Sequence, residues 1–512
     1  MNTMKAVLLC AVMCVGQLVS AAEVKVDVTK THQVFHGFGT CLKSWGKRET
    51  GPVVSGQYDP ELQRRYAEDL GLKVVRIPIG KWVYEWENPY GIEPSATPEG
   101  MRAPDAINHK DFRWAYDSGR ARGRIQYPVD FAKAIVRLNP RVKVIGSVWS
   151  PPHWMKEPAE SGPGKRFHWS KYGCSSCGGR LNPAYYEHYA HYLAKWIKGL
   201  KQVHGIDLYA ISIQNELHFY EPYNSCVYTP QEFADVVAVV GKVFEEEGIG
   251  TLIMGPEDMT KFPARTMGYV RAAMADPKSA EALSVICSHG YADGIETSLE
   301  ADDALKLWQM MQEVCPGKEW WMTETGGGGG KWHDIEMVWQ HGRRKGQKRI
   351  VKGALSGFAT RLHNALVHGN ASLWTTWQYL DTSEGTRAGL VDVSGEEPVF
   401  TKKYYVQKHF ARWTPQGAHR VEAAADREDL LAVAFHHQES GALSVVVQNH
   451  AEVARAVTLN LSGLEDVQSL QMYVTDGERD CLALDEVPVR DGQAVLNLPA
   501  LSIVTAANSP GR

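Results

Sequence analysis

Apolar and polar positions follow two different rhythms along this chain of 512 residues. Between residues 36 and 389, short β-type runs alternate with stretches whose apolar residues recur at helical spacing. The β-type runs cover 36–39, 73–80, 142–149, 208–213, 252–256, 285–291, 319–325 and 371–380. They are mostly Val, Ile, Leu, Trp and Gly, as expected of strands buried on both faces. The helical stretches carry their own start signals. Asp59-Pro60 precedes Leu62, Tyr66 and Leu70, and Gly71 stops that helix. Asn182-Pro183 precedes Tyr185, Tyr189, Leu193 and Trp196. Thr229-Pro230-Gln231-Glu232 is a capping box with proline at the first helical position, ahead of Phe233, Val236, Val237, Val240 and Phe244. Further helices are predicted near 265–275, 299–314 and 351–368. Eight strands alternating with helices predict an α/β fold, a (β/α)8 TIM barrel.

Past residue 389 the rhythm changes to period two. Alternating runs at 430–436, 443–448, 453–461, 468–474, 494–498 and 502–506 are separated by Gly, Asp and Asn turns. That grammar predicts an all-β sandwich attached to the barrel. The run at 24–35 alternates Val24, Val26 and Val28 with Lys25 and Asp27, so it suits the same two-faced sheet. The predicted domains are therefore a barrel at 36–389 and a sandwich formed by 23–35 together with 390–508. Two stretches, 81–126 and 156–182, are too long and too irregular for ordinary connections and are predicted to be excursions over the active face.

The first 22 residues read as a secretory leader: Lys5, an apolar run over 6–15, then Ser20-Ala21-Ala22, with cleavage near Ala21-Ala22. The run is too short to span a bilayer and no later one is longer, so a secreted or periplasmic protein without membrane insertion is expected. Seven cysteines follow the leader, at 41, 174, 177, 226, 287, 315 and 481, an odd number that leaves at least one unpaired. Cys174 and Cys177 suit a local disulfide, or one of them a bond to Cys226. No second Cys/His pair at zinc spacing accompanies them, so no metal site and no cofactor is predicted. The formal net charge of −4 gives no reason to expect nucleic acid as a partner. The 16 Trp and 21 Tyr offer flat faces for stacking against sugars, with a large core as the alternative that accounts for many of them. Gly326–Gly330 with Lys331 looks like a phosphate loop, but Trp332 stands where Ser or Thr is required. The Gly-x-Ser-x-Gly elbow of α/β-hydrolases does not occur.

Chemistry concentrates at two strand ends. The fourth run closes with Gln214-Asn215-Glu216, and the seventh with Glu324. Carboxyl ends of barrel strands all open onto one face, where catalytic groups are kept. One buried glutamate there is as readily explained by an ion pair. Two of them, one preceded by Asn, fit the acid/base and nucleophile of a glycosidase, whose carboxyls stand about 5–5.5 Å apart when configuration is retained.

Four motifs in order resemble glycoside hydrolase family 30, a family of retaining (β/α)8 glycosidases with a side β-sandwich. Ser212-Ile-Gln-Asn215-Glu216 resembles its acid/base motif and Trp321-Met-Thr-Glu324 its nucleophile strand. Val148-Trp-Ser-Pro-Pro-His-Trp-Met-Lys156 resembles its third-strand signature, and Lys403-Tyr-Tyr-Val-Gln-Lys-His-Phe410 with Pro415-Gln-Gly417 the passage into the side domain. The resemblance spans essentially the whole chain after the leader. It implies Glu216 as general acid/base, Glu324 as nucleophile, Asn215 bonded to the sugar 2-hydroxyl or to the nucleophile, and Arg76 holding that nucleophile ionised. It further implies that His289, Tyr291, Trp149, Trp374 and Trp377 line sugar subsites, each with core packing as the alternative, and that His289 is a hydrogen-bond partner rather than a base. Leu217 stands where many relatives carry proline, which loosens the loop after Glu216. Arg113, Arg120, Arg122 and Arg124 offer charge for an acidic sugar substituent, with a solvated basic loop as the alternative. A xylan or a β-1,6-linked glucan or galactan is the expected substrate class; glucosylceramidase-like or exo-acting enzymes, and a non-catalytic carbohydrate-binding protein, are the rivals.

Overall fold

The computed structural model describes residues 22–42, 56–79, 126–152, 155–157, 178–219, 225–291, 300–326, 330–338, 346–382 and 389–508. The leader, most of both excursions with their four arginines, and the Cys174/Cys177 pair lie outside the described residues. Cys226 is a buried free thiol, so the alternative bond to it is not formed.

Eight parallel strands close into a barrel: Gly37–Cys41, Val74–Ile79, Lys143–Val148, Leu208–Ser212, Leu252–Met259, Leu283–His289, Trp320–Thr325 and Leu373–Thr376, in sequence order, the last pairing the first. The helices between them form as their caps predict. Asp59 accepts from the Glu61 amide, Asn182 from the Ala184 amide, and Thr229 and Glu232 bond each other's backbone in a complete capping box. Gly39 is required by packing: a Cβ there would stand 2.1 Å from the Val74 carbonyl oxygen of the neighbouring strand.

Strand parity decides what the barrel contains. Val74, Ile145, Ala210, Met254, Val285, Cys287, Trp321 and Leu373 form one compact cluster that fills the lower interior. Since side chains two apart share a face, the next inward positions are Arg76, Ser147, His289, Thr323 and Thr375. A layer higher come Cys41, Trp149, Tyr291 and Trp377, which make their own cluster at the mouth. Below the plug, Glu319 accepts from Trp321 Nε1 at 2.8 Å and lies 2.7 Å from His36 Nε2, whose Nδ1 is 2.8 Å from Lys143 Nζ.

The second unit is a sheet that, among the described residues, has ten mostly antiparallel strands. Ala22–Val34 is third from one edge, antiparallel to His419–Ala425 and parallel to Arg455–Ser462. The sheet curls, so that Val24, Leu459 and Leu496 from one end share a core with Leu470, Met472 and Val504 from the other. Alternation sets the two faces: Gln493–Leu498 reads exposed, buried, exposed, buried along its length. The helix Lys402–Ala411 lies between sheet and barrel, where Phe410 packs on Phe38 and His409 bonds Thr475 and Thr505.

Candidate active site

Three carboxylates reach the barrel mouth at places where the strands depart from regular pairing. Glu324 follows inward-facing Thr323, so simple alternation would turn it outward; the seventh strand shifts register between Met322 and Glu324 against the sixth. The fifth strand shifts between Pro256 and Asp258, and Glu257 between them has φ 55°. Glu216 has φ 46°, just past the end of the fourth strand. Left-handed backbone is costly for a residue with a long side chain, and irregularities of this kind re-aim side chains at sites.

Arg76 ties them together. Its Nη1 donates to Glu324 Oε2 at 2.6 Å, its Nη2 to Asn215 Oδ1 at 2.7 Å and to Glu257 Oε1 at 3.1 Å, and its Nε to Ser147 Oγ at 3.0 Å. The guanidinium also lies 4.9 Å from the centre of the Trp149 ring. On the opposite side His289 Nδ1 is 2.9 Å from Glu216 Oε1. Tyr291 donates its hydroxyl to Glu324 Oε1 at 3.0 Å. Single oxygens of Glu216 and Glu324 lie within 4.8 Å of each other and of a His289 nitrogen. All of these groups are buried.

The charges follow from this packing. Burial would neutralise Glu257, but Arg76 and His289 outweigh it and hold the carboxyl down at about 2. Burial likewise opposes a charged His289, yet Glu324, Glu216 and Glu257 around it lift the imidazole to about 9. For Glu324, burial pushes the carboxyl up, His289 and Arg76 pull it back, and Glu216 pushes it up again; it stays above its ordinary value. Arg76 thus favours the ionised form of Glu324, as expected of it, while burial pushes the carboxyl the other way. Two cations face three carboxyls, so a single proton left on the Glu216/Glu324 pair makes the cluster neutral. The donor set Glu216, His289 and Glu324 has the spacing of a metal site, but Arg76 and a protonated His289 already occupy those carboxylates and oppose a cation.

Most of the residues singled out in the sequence converge here: Glu216, Glu324, Asn215, Arg76, His289, Tyr291, Trp149 and Trp377. The rings of Trp149 and Trp377 stand 6.3 Å apart across the mouth. Trp374 does not converge. It sits between inward-facing Leu373 and Thr375, so parity turns it outward into the helical layer, where it is fully buried against Phe358. Lys156, the end of the third-strand motif, donates to Ser150 Oγ and to the Ser225 carbonyl, tying that loop to the one after Glu216. Glu257 and Ser147 were missed. Ser147 is a polar residue within the apolar run 142–149, and Glu257 lies one residue beyond the run at 252–256.

No protein-family model matches the chain. Among curated proteins, glucuronoxylanase XynC of Bacillus subtilis is 21% identical over 499 residues, covering 96% of this chain and 92% of the relative. Endo-1,6-beta-D-glucanase neg1 of Aspergillus fumigatus is 24% identical over 284 residues, 55% of this chain and 52% of the relative. Among solved structures, a family 30 endoxylanase from Clostridium papyrosolvens superposes with a TM-score of 0.65 at 23% identity, over 95% of this chain and 99% of that one.

Proposed function

This chain belongs to glycoside hydrolase family 30, and from that premise we propose that it is an exported enzyme cleaving a β-linked polysaccharide by double displacement, with Glu324 as nucleophile and Glu216 as general acid/base. The observation that carries the reading is the spacing of the two carboxyls, with one oxygen of each within 4.8 Å of the other, which suits a retaining pair. The leader-like start supports export, and among the described residues no helix is long and apolar enough to cross a membrane.

In the first step Glu216 gives its proton to the glycosidic oxygen while a Glu324 oxygen attacks the anomeric carbon. The C–O bond to the leaving sugar breaks and a glycosyl ester forms on Glu324. Arg76 and Tyr291 contact Glu324 directly, so they favour the negative charge on that member of the pair and leave the shared proton to Glu216. In the second step Glu216, now a carboxylate, takes a proton from water, the water oxygen attacks the anomeric carbon, and Glu324 departs. Two inversions leave the configuration unchanged. His289 stays protonated through neutral pH, so it supports Glu216 by hydrogen bonding rather than acting as a base. Trp149 and Trp377, whose rings stand 6.3 Å apart at the mouth, would stack on sugar faces.

Full-length coverage of a glucuronoxylanase and partial coverage of endo-1,6-glucanases favour a xylan or β-1,6-glucan as substrate. The test is a product profile on xylan, β-1,6-glucan, β-1,6-galactan and aryl β-glycosides, with Glu324→Gln as control. One polymer cut by the natural protein and spared by the variant is the expected result. Turnover that survives in Glu324→Gln refutes the assignment of the nucleophile, and sugar binding without cleavage favours a non-catalytic carbohydrate-binding protein.

A further inference from the structure

Resting on that reading, we infer that Glu257 is a positioning residue for the acid/base step: its carboxylate joins Arg76 to His289 and so fixes the geometry and charge of the groups that hold Glu324 and Glu216. It touches neither catalytic carboxyl. Its Oε1 accepts from Arg76 Nη2 at 3.1 Å and from Ser147 Oγ at 3.0 Å, and lies 3.7 Å from His289 Nε2. Read around the mouth, the groups alternate in sign: Glu216, His289, Glu257, Arg76, Glu324. Without Glu257 the two cations would adjoin across a buried gap with no anion between them.

The fold spends strain to place it there. Glu257 is fully buried, has left-handed backbone at φ 55° and sits in a register shift of the fifth strand. A buried carboxylate kept in a strained conformation needs compensation, and here the compensation is the two cations it orders. The groups facing His289 are Glu216, Glu257 and Glu324, with the Tyr291 ring edge-on. Those facing Glu257 are Arg76, His289 and the hydroxyls of Ser147 and Thr323, with Cys287 on the adjoining strand. His289 is thus ringed by carboxyls, and the one on its Nε2 side is Glu257. Its raised affinity for a proton follows from that ring.

Glu257→Gln keeps the shape and removes the charge. His289 then loses its proton at a lower pH, and above that pH Glu216 has no cation 2.9 Å away. A carboxyl deprived of such a partner holds its proton to higher pH. The lost field of Glu257 itself acts the other way on Glu216. With an aryl β-glycoside, the expected result is a basic limb of kcat/KM displaced by about one pH unit. It is accompanied by a kcat lower by about tenfold or more and a KM changed by less than about threefold. A limb that stays in place, whether activity falls or holds, overturns the inference, since lost packing alone does not move a titration.

Two further measurements guard against a variant that does not fold. Glu257→Asp keeps the charge and draws it back, so its limb should stay near that of the natural enzyme. In the natural protein, the imidazole of His289, followed by NMR with labelled histidine, should remain protonated past neutral pH. Titration near the ordinary value of about 6.5 overturns the inference. That measurement needs no substrate, so it separates failure of this inference from failure of the glycosidase reading.

Discussion

Replacing Arg76 with Met tests the electrostatic account of the site most directly. The side chain is buried at 1% exposure and makes ion pairs with Glu257 and Glu324. Met fills similar space and leaves both carboxylates without their cation. Breaking one side of a buried pair costs about 3–5 kcal/mol, because the stranded charge stays desolvated. At about 1 °C per kcal/mol for a chain of this size, the melting midpoint should fall by about 3–5 °C. The pH dependence carries the sharper signature. Glu257 is held down at about 2 from an ordinary 4.5. A depressed carboxyl stabilises the fold above its unfolded value, and the contribution disappears as pH falls through the folded one. The depression amounts to roughly 3 kcal/mol at neutral pH. The gap between natural protein and variant should therefore be full above about pH 4.5 and close towards pH 2. Differential scanning calorimetry or thermal circular dichroism across that range reads it. Adding Glu257→Gln to Arg76→Met should return part of the loss by removing one stranded charge. A gap independent of pH, or an Arg76→Met protein as stable as the natural one, refutes the reasoning.

Three other changes separate roles that lie close together. Tyr291→Phe removes one donor to Glu324 and should cost about 1.5–3 kcal/mol of transition-state stabilisation, roughly 10–150-fold in kcat/KM on an aryl glycoside, with little change in melting. Trp377→Ala should weaken oligosaccharide binding by calorimetry, whereas Trp374→Ala should destabilise by about 3–5 kcal/mol as a core deletion and leave KM alone. Glu319→Gln below the plug should leave activity unchanged and cost about 1 kcal/mol of stability. Its carboxyl, held down at about 2 against burial by His36 and Trp321, is two-fifths exposed and partly screened. That loss should vanish as pH drops from about 4.5 to about 2, and a variant with impaired turnover would contradict the placement of Glu319 outside the site.

The barrel was legible because its strands are buried on both faces and its helices are capped by side chains the sequence displays. The largely apolar runs at 73–80 and 285–291 have the length and β-branched content of inner strands, and the Thr229–Glu232 box fixes where a helix starts. Parity within those runs was equally legible and would have set Trp374 apart. Leu373 and Thr375 flank it, and two inward neighbours force an outward side chain. In the side domain, alternation identifies the strands but not how the sheet curls. The curl depends on Ala22–Val34 pairing with residues about four hundred positions away, which no local pattern records.

The carboxyls at the barrel mouth pose the opposite problem. Glu324 and Glu257 lie where period-two counting fails, one past an inward Thr323 and the other past Pro256 in a shifted strand. A regular barrel interior presents every second residue, and its layers are already filled by Arg76, Ser147, His289 and Thr323. To bring three more acids against those groups, the strand ends must break pairing, and Glu216 and Glu257 do so with left-handed backbone. The departures are thus a geometric condition for having alternate charges in contact at one level of the barrel. Composition announces the groups, since a polar residue in an inner strand requires a partner. Which partner it meets is decided by irregularities that exist only once the barrel has closed.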